Sequence, residues 1–289
     1  MPRSVVFENI RNSYNAFSYR VPWFYVITPE EFKILQKTSW YQDEQNFAIL
    51  WALVPPGPKE DRHAKVALVY SEAFGKEEDL LPEHWRQWGY FRGIAQEYDL
   101  LLGHTPSTAA AMSDLGVPTD VLPAGWDPEG LDFPKEEKGG HLVFYGSTVG
   151  KRTWSVPRLR ERLGNVLREV TGSFGKRVLR EISASRAELY LAHSNCDSGS
   201  TWRIWHTIAA KSAFLTEPGD YWPLVQGRHY IEISRLTEEN VCGVSDVIRD
   251  ILGSDALENA QRDAWDEVAN EYTTQKCVER NLIPASMKA

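Results

Sequence analysis

From residue 64 onward, short runs of nearly continuous apolar residues alternate with longer amphipathic stretches. The runs at 65–70, 98–102, 141–145, 188–192 and 212–216 predict buried strands, and a turn at 116–118 leads into a further strand ending near 123. Between them, 82–96, 105–114, 156–169, 182–187, a segment starting near 200 and the long pattern 246–280 predict helices. Thr105 is placed to cap its helix and Pro106 to occupy the first helical position. Strands that alternate with helices predict parallel βαβ units and an α/β fold.

The first sixty residues break this pattern. They are rich in aromatics, including Phe17, Trp23, Tyr25, Trp40 and Trp51, and Pro55-Pro56-Gly57-Pro58 closes them with a loop. Breaker-rich polar stretches at 127–130 and 133–140 predict a linker. The expected organisation is an N-terminal domain over 1–134, a C-terminal domain over 135–270, and a terminal helix and tail over 271–289 that crosses back to the first domain.

Composition narrows the class only modestly. A chain of 289 residues with 42% hydrophobic and 25% charged residues has enough apolar surface for one large or two modest cores. Cys196, Cys242 and Cys277 are widely spaced and lack zinc-site patterns, which predicts free thiols in a reducing compartment. No apolar run approaches the length of a membrane span or signal peptide, so a cytoplasmic protein is expected. A formal net charge of -8 disfavours general adhesion to DNA or anionic membranes. The arginines at 158, 160, 162 and 168 read as a solvated helix face.

Ligands of open parallel sheets bind beyond the carboxyl ends of the strands, so the residues directly after each apolar run carry the candidate chemistry. Gly146 and Ser147, followed by Lys151 and Arg152, can admit a diphosphate and neutralise it. The Ser198-Gly199-Ser200 turn opens an amphipathic segment whose backbone amides would suit a phosphate. Arg203 adds a third cation, and Glu217 follows the 212–216 run, where a carboxylate can accept hydrogen bonds from ribose or sugar hydroxyls. Each has an ordinary alternative: Ser198 as a helix cap, Arg203 in a structural ion pair, Glu217 in a solvated turn. For proton transfer the candidates are Glu72 and His104, each at a strand end of the first half; a structural histidine is the alternative at His104. No metal spacing is present, and no Walker loop, Gly-x-Gly-x-x-Gly or Gly-x-Ser-x-Gly motif.

The order of these segments resembles the CgeB-like branch of the group 1 glycosyltransferases. It rests on 141–147 with Lys151-Arg152, the strand before Ser198-Gly199-Ser200, Arg203, the apolar 209–215, and Gly227-Arg228-His229-Tyr230. The resemblance spans roughly residues 95–280. It implies a GT-B architecture of two Rossmann-like domains with parallel sheets facing a central cleft, and a metal-independent hexosyltransferase without a resident cofactor. The co-substrate would be a nucleotide sugar, UDP-linked by expectation, held by Gly146, Ser147, Lys151, Arg152, Ser198, Gly199, Ser200, Arg203 and Glu217. The acceptor hydroxyl is left open, with a hydroxymethylated DNA base among the options. The sequence departs from the family at His206, where a glutamate is usual, and at Lys211-Ser212, where a glycine is usual. A protein that keeps the fold but only binds a nucleotide sugar, or serves as a scaffold, is the alternative.

Overall fold

The computed structural model describes residues 24–25, 48–50, 64–69, 92–93, 95–97, 100–123, 125–126, 138–146, 148–171, 176–192 and 201–282. The chain forms two compact units, one of Met1–Phe74, Pro82–Gly125 and Thr274–Ala289, the other of Gly75–Leu81 and Trp126–Thr273.

The first unit carries a five-stranded sheet. Strands β3 (Ala64–Val69), β4 (Leu100–Gly103) and β5 (Thr119–Val121) are parallel neighbours. The short β1 (Phe24–Tyr25) and β2 (Ala48–Leu50) both pair with β3, antiparallel and parallel respectively. β4 is buried along its whole length, which explains its uninterrupted apolar run. Helix α1 (Pro106–Met112) begins as its sequence predicts: the Thr105 hydroxyl accepts a hydrogen bond from the Thr108 amide at 3.2 Å, with Pro106 at the start. Of the helix expected at 82–96, residues 82–91 lie outside the described residues.

The second unit is built on an all-parallel sheet in the order β10-β9-β8-β6-β7. Its strands are β6 (Leu142–Tyr145), β7 (Leu167–Val170), β8 (Ala187–Tyr190), β9 (Ala213–Thr216) and β10 (Ile231–Glu232). Alternate residues of the strands feed two cores. Leu142 and Phe144 pack with Val156, Leu159 and Leu163 of α2 (Arg152–Leu163) and with Val241, Val244 and Ile248 of α5 (Val241–Leu252). Val143 packs instead with Val178 and Ile182 of α3 (Lys176–Ala184), and with Ala210 just beyond α4 (Thr201–Ala209). Such two-faced burial is what lets a parallel strand be apolar throughout.

Several expected elements change. The helix expected at 156–169 starts four residues earlier and stops at Leu163, and Leu167–Val170 is the edge strand β7. Gly164 forces the break, with φ 59° and ψ -133°, a conformation essentially confined to glycine. The short helix expected at 182–187 is the end of α3, which runs from Lys176 to Ala184. The long pattern 246–280 divides into α5, α6 (Ala256–Ala264), a π-helical stretch Trp265–Ala269, α7 (Thr274–Cys277) and a second π-helical stretch Val278–Leu282.

Candidate functional site

The carboxyl edge of the second unit's sheet gathers Gly146 after β6, Leu191 and Ala192 after β8, and Glu217 after β9. Gly146 has φ 129°, and a Cβ there would lie 2.5 Å from Arg203 Nη2 and 3.4 Å from Arg152 Nη1. Two guanidinium groups therefore converge on a position where only a glycine backbone fits.

Each guanidinium is held from behind. Arg152, 4% exposed, donates from Nε to the Leu191 carbonyl at 2.6 Å, and its head lies over the Phe144 and Tyr190 rings at 5.6 and 5.5 Å. Arg203, on α4, donates from Nη1 to the Tyr145 carbonyl at 2.6 Å and to Glu188 Oε1 at 3.4 Å, and stacks over Tyr145 at 4.1 Å and Tyr190 at 5.1 Å. Aromatic faces and carbonyls suit a delocalised guanidinium and pre-orient its planar fork.

Lys151 and Glu217 pair with one another. Lys151 Nζ lies 2.6 Å from Glu217 Oε1, with side-chain exposures of 8% and 0%. The Glu217 oxygens also accept the Leu236 amide at 2.6 Å and the Ala192 amide at 2.8 Å. This carboxylate ties the ends of β8 and β9 to the segment after β10. Burial lowers the proton affinity of Lys151, and Glu217 partly restores it.

Deeper in the sheet, Glu188 is fully buried and takes a hydrogen bond from the Thr207 hydroxyl as well as from Arg203. Burial raises its pKa to about 7 against the pull of Arg203 and the Thr207 bond. His206 stands in the position where the resemblance leads one to expect glutamate. Its Nδ1 lies 3.3 Å from the Tyr145 hydroxyl, and burial together with Arg203 lowers its pKa to about 4. At pH 7 the ring is neutral and shares a hydrogen bond with Tyr145, whose own pKa burial raises far above the usual phenol range.

Gly146, Arg152 and Arg203 thus come together, while Lys151 and Glu217 form an internal pair beside them. Ser147, Ser198, Gly199, Ser200 and Glu72 lie outside the described residues. His104, in the first unit, is 1% exposed, and its Nδ1–H donates to the Leu122 carbonyl at 3.0 Å. Burial lowers its pKa to about 4. The surface arginines Arg158, Arg160 and Arg168 are paired with Glu238, Glu169 and Glu181. Among the described residues no group of three His, Cys, Asp or Glu side chains could hold a metal ion, and no helix is long and apolar enough to cross a membrane.

Glu188, Thr207 and Tyr145 were not marked by any motif. Their signal is an acid inside an otherwise apolar buried strand, with an arginine and a threonine four residues apart on the helix that follows. A buried carboxylate requires partners, and that helix face supplies them.

Two α/β units, the second with a cationic edge to its all-parallel, doubly wound sheet, have the GT-B architecture. Solved structures similar to this chain share it. They include the pneumococcal O-GlcNAc transferase GtfA in complex with UDP and GlcNAc, at 11% identity and TM-score 0.59, covering 78% of this chain and 52% of that one. A mutant of TarM from S. aureus, in complex with Fondaparinux, alpha-GlcNAc-glycerol and UDP, has the same identity and TM-score over 79% and 52%. HepE from Anabaena in complex with UDP and glucose is 10% identical, with TM-score 0.55 over 78% and 72%. The chain spans about half the length of the first two. No protein-family model and no curated protein matches the sequence.

Proposed function

We propose that this protein is a glycosyltransferase that moves a sugar from a nucleotide diphosphate, UDP-linked, to an acceptor hydroxyl. The observation that carries this reading is the convergence of Arg152 and Arg203 on Gly146 at the carboxyl edge of a parallel sheet. A diphosphate beside Gly146 would meet two pre-oriented forks and a close backbone. Charge that develops on the departing nucleotide would be stabilised without a metal. The UDP in the GtfA, TarM and HepE structures supports the donor class, and the segment order supports placement within the CgeB-like branch.

In this reading Lys151 adds positive charge from its pair with Glu217, and Glu217 acts by fixing the loops rather than by facing sugar hydroxyls. Ser147 and the Ser198-Gly199-Ser200 turn supply further phosphate contacts. Of the two candidate bases, Glu72 is the better suited, because the burial and carbonyl bond of His104 favour a structural role. A hydroxymethylated DNA base as acceptor gains little support from the basic stretch, since Arg158, Arg160 and Arg168 are paired with glutamates.

Thermal unfolding with a panel of nucleotide diphosphates and their sugars tests the reading. A ligand at about 100 times its dissociation constant stabilises by about 2.7 kcal/mol, and Arg203→Ala should abolish the shift. Turnover in excess EDTA tests metal independence. The second reading, a binding protein without turnover, is favoured by His206 at the glutamate position; it predicts a thermal shift with no transfer and no hydrolysis.

A further inference from the structure

Glu188 is a buried carboxylate that the proposed donor site does not consume. It lies on β8, opposite Val143 of β6 and Phe214 of β9 in the sheet register. The titratable and charged groups around it are Arg203 of α4, Arg152 of α2, Tyr145 of β6 and Tyr190 of its own strand. His206 of α4 meets Tyr145. Arg203 is the link: Nη1 is shared by Glu188 and the Tyr145 carbonyl, while Nη2 is the atom nearest the missing Cβ of Gly146.

We propose that Glu188 is the positioning residue of the donor site and takes up a proton from solvent when the diphosphate of a nucleotide sugar arrives beside Gly146. The proposal rests on the donor-site reading. A carboxylate on one edge of the Arg203 fork fixes its plane, but the same negative charge opposes an incoming dianion. Like charges brought close together favour the protonated carboxyl, and Glu188 already titrates near neutrality because it is buried. Protonation leaves the hydrogen bonds satisfied: Glu188 would donate to the Thr207 hydroxyl, and Thr207 would donate to the Arg203 carbonyl 2.8 Å away. Linkage makes the effect reciprocal, so whatever protonates Glu188 tightens the ligand. His206, with a pKa of about 4, stays neutral in this range.

The test is calorimetric titration of the full chain with UDP-glucose and UDP-N-acetylglucosamine, in buffers of different ionisation enthalpy. Their diphosphate diesters carry no proton that titrates near neutrality, so uptake reports the protein. The wild-type chain should take up a fraction of a proton near pH 7.5, and its affinity should fall by about fivefold or more between about pH 6 and pH 8. Glu188→Gln should show no uptake, match the wild type at the acid end and bind more tightly than it at the alkaline end. Thr207→Val, which removes a donor to the ionised carboxylate, should move the uptake maximum to higher pH. Wild-type binding without proton uptake overturns the proposal, as does undiminished uptake in Glu188→Gln or an unmoved maximum in Thr207→Val. If the wild-type chain binds neither sugar nucleotide, the donor-site reading itself falls, an outcome distinct from binding without uptake.

Discussion

At Gly146, backbone conformation and the proposed ligand chemistry meet in one residue. An alanine there would adopt a positive φ and press its Cβ against Arg203 Nη2, 2.5 Å away. The backbone strain costs about 1–3 kcal/mol, and the displaced guanidinium would deprive the proposed donor site of its fork. Gly146→Ala should therefore lower Tm and weaken UDP-glucose binding more than tenfold; wild-type affinity in this variant would remove Arg203 from the site. Lys151 and Glu217 show a different economy. Losing one partner of a buried pair costs about 3–5 kcal/mol, and Glu217 additionally holds the Ala192 and Leu236 amides. Glu217→Leu should thus destabilise more than Lys151→Met, with the double variant less destabilised than the sum, as a denaturant-unfolding cycle would measure. Equal single costs would show that the amide bonds contribute nothing. The gathering of Gly146, Arg152 and Arg203 was legible in the sequence because each follows or caps a strand-to-helix transition at the same sheet edge. The Lys151–Glu217 pair was not, since two residues 66 positions apart carry no sign of which partner each will choose.

At the scale of elements, the informative case is the α2–β7 boundary. Val156, Leu159, Leu163, Val166 and Leu167 fall at helical spacing with charged residues among them, so 156–169 reads as a single helix. The chain turns instead at Gly164, and Leu167 and Val170, on opposite faces of β7, are buried in the two different cores, with Arg168 exposed between them. Leu-Arg-Glu-Val carries no period-two signal, and its apolar residues three apart continue the helical pattern before it. The interior strands were legible for the opposite reason, because burial on both faces leaves runs that no helix of that length would need. Gly164→Ala separates backbone from packing: a Cβ there meets nothing within 4 Å. The variant should lose about 1–3 kcal/mol in urea unfolding from the unfavourable φ/ψ alone, with UDP-glucose affinity unchanged. A stability equal to wild type would mean that the turn relaxes to another conformation and does not itself define the end of α2.

At the scale of the whole molecule, the described shifts of buried titratable groups differ between the two units. His104 in the first unit and His206 in the second both have pKa values lowered to about 4. Each unfolded ring binds a proton near its ordinary pKa of about 6.5, so the stability from keeping these rings neutral is complete above that pH. It is lost as pH falls toward 4. Glu188 has the opposite sign. Its pKa is raised to about 7, so between there and the ordinary carboxylate range the folded state holds a proton that the unfolded state has released. Its contribution therefore grows as pH falls through that window. In the second unit Glu188 opposes His206 and His141, the latter lowered by burial and by Arg168, whereas among the described shifts of the first unit His104 has no such counterweight. Acidification from about pH 7 to pH 5 should therefore weaken the first unit more than the second. Hydrogen exchange measured peptide by peptide at the two pH values would resolve the difference, with amides of β4 and α1 losing protection ahead of those of β6, β8 and β9. His104→Gln, which keeps a donor for the Leu122 carbonyl but cannot take a proton, should abolish the difference. Equal loss of protection in both units, or an unchanged difference in His104→Gln, would show that His104 does not control the acid response of its unit.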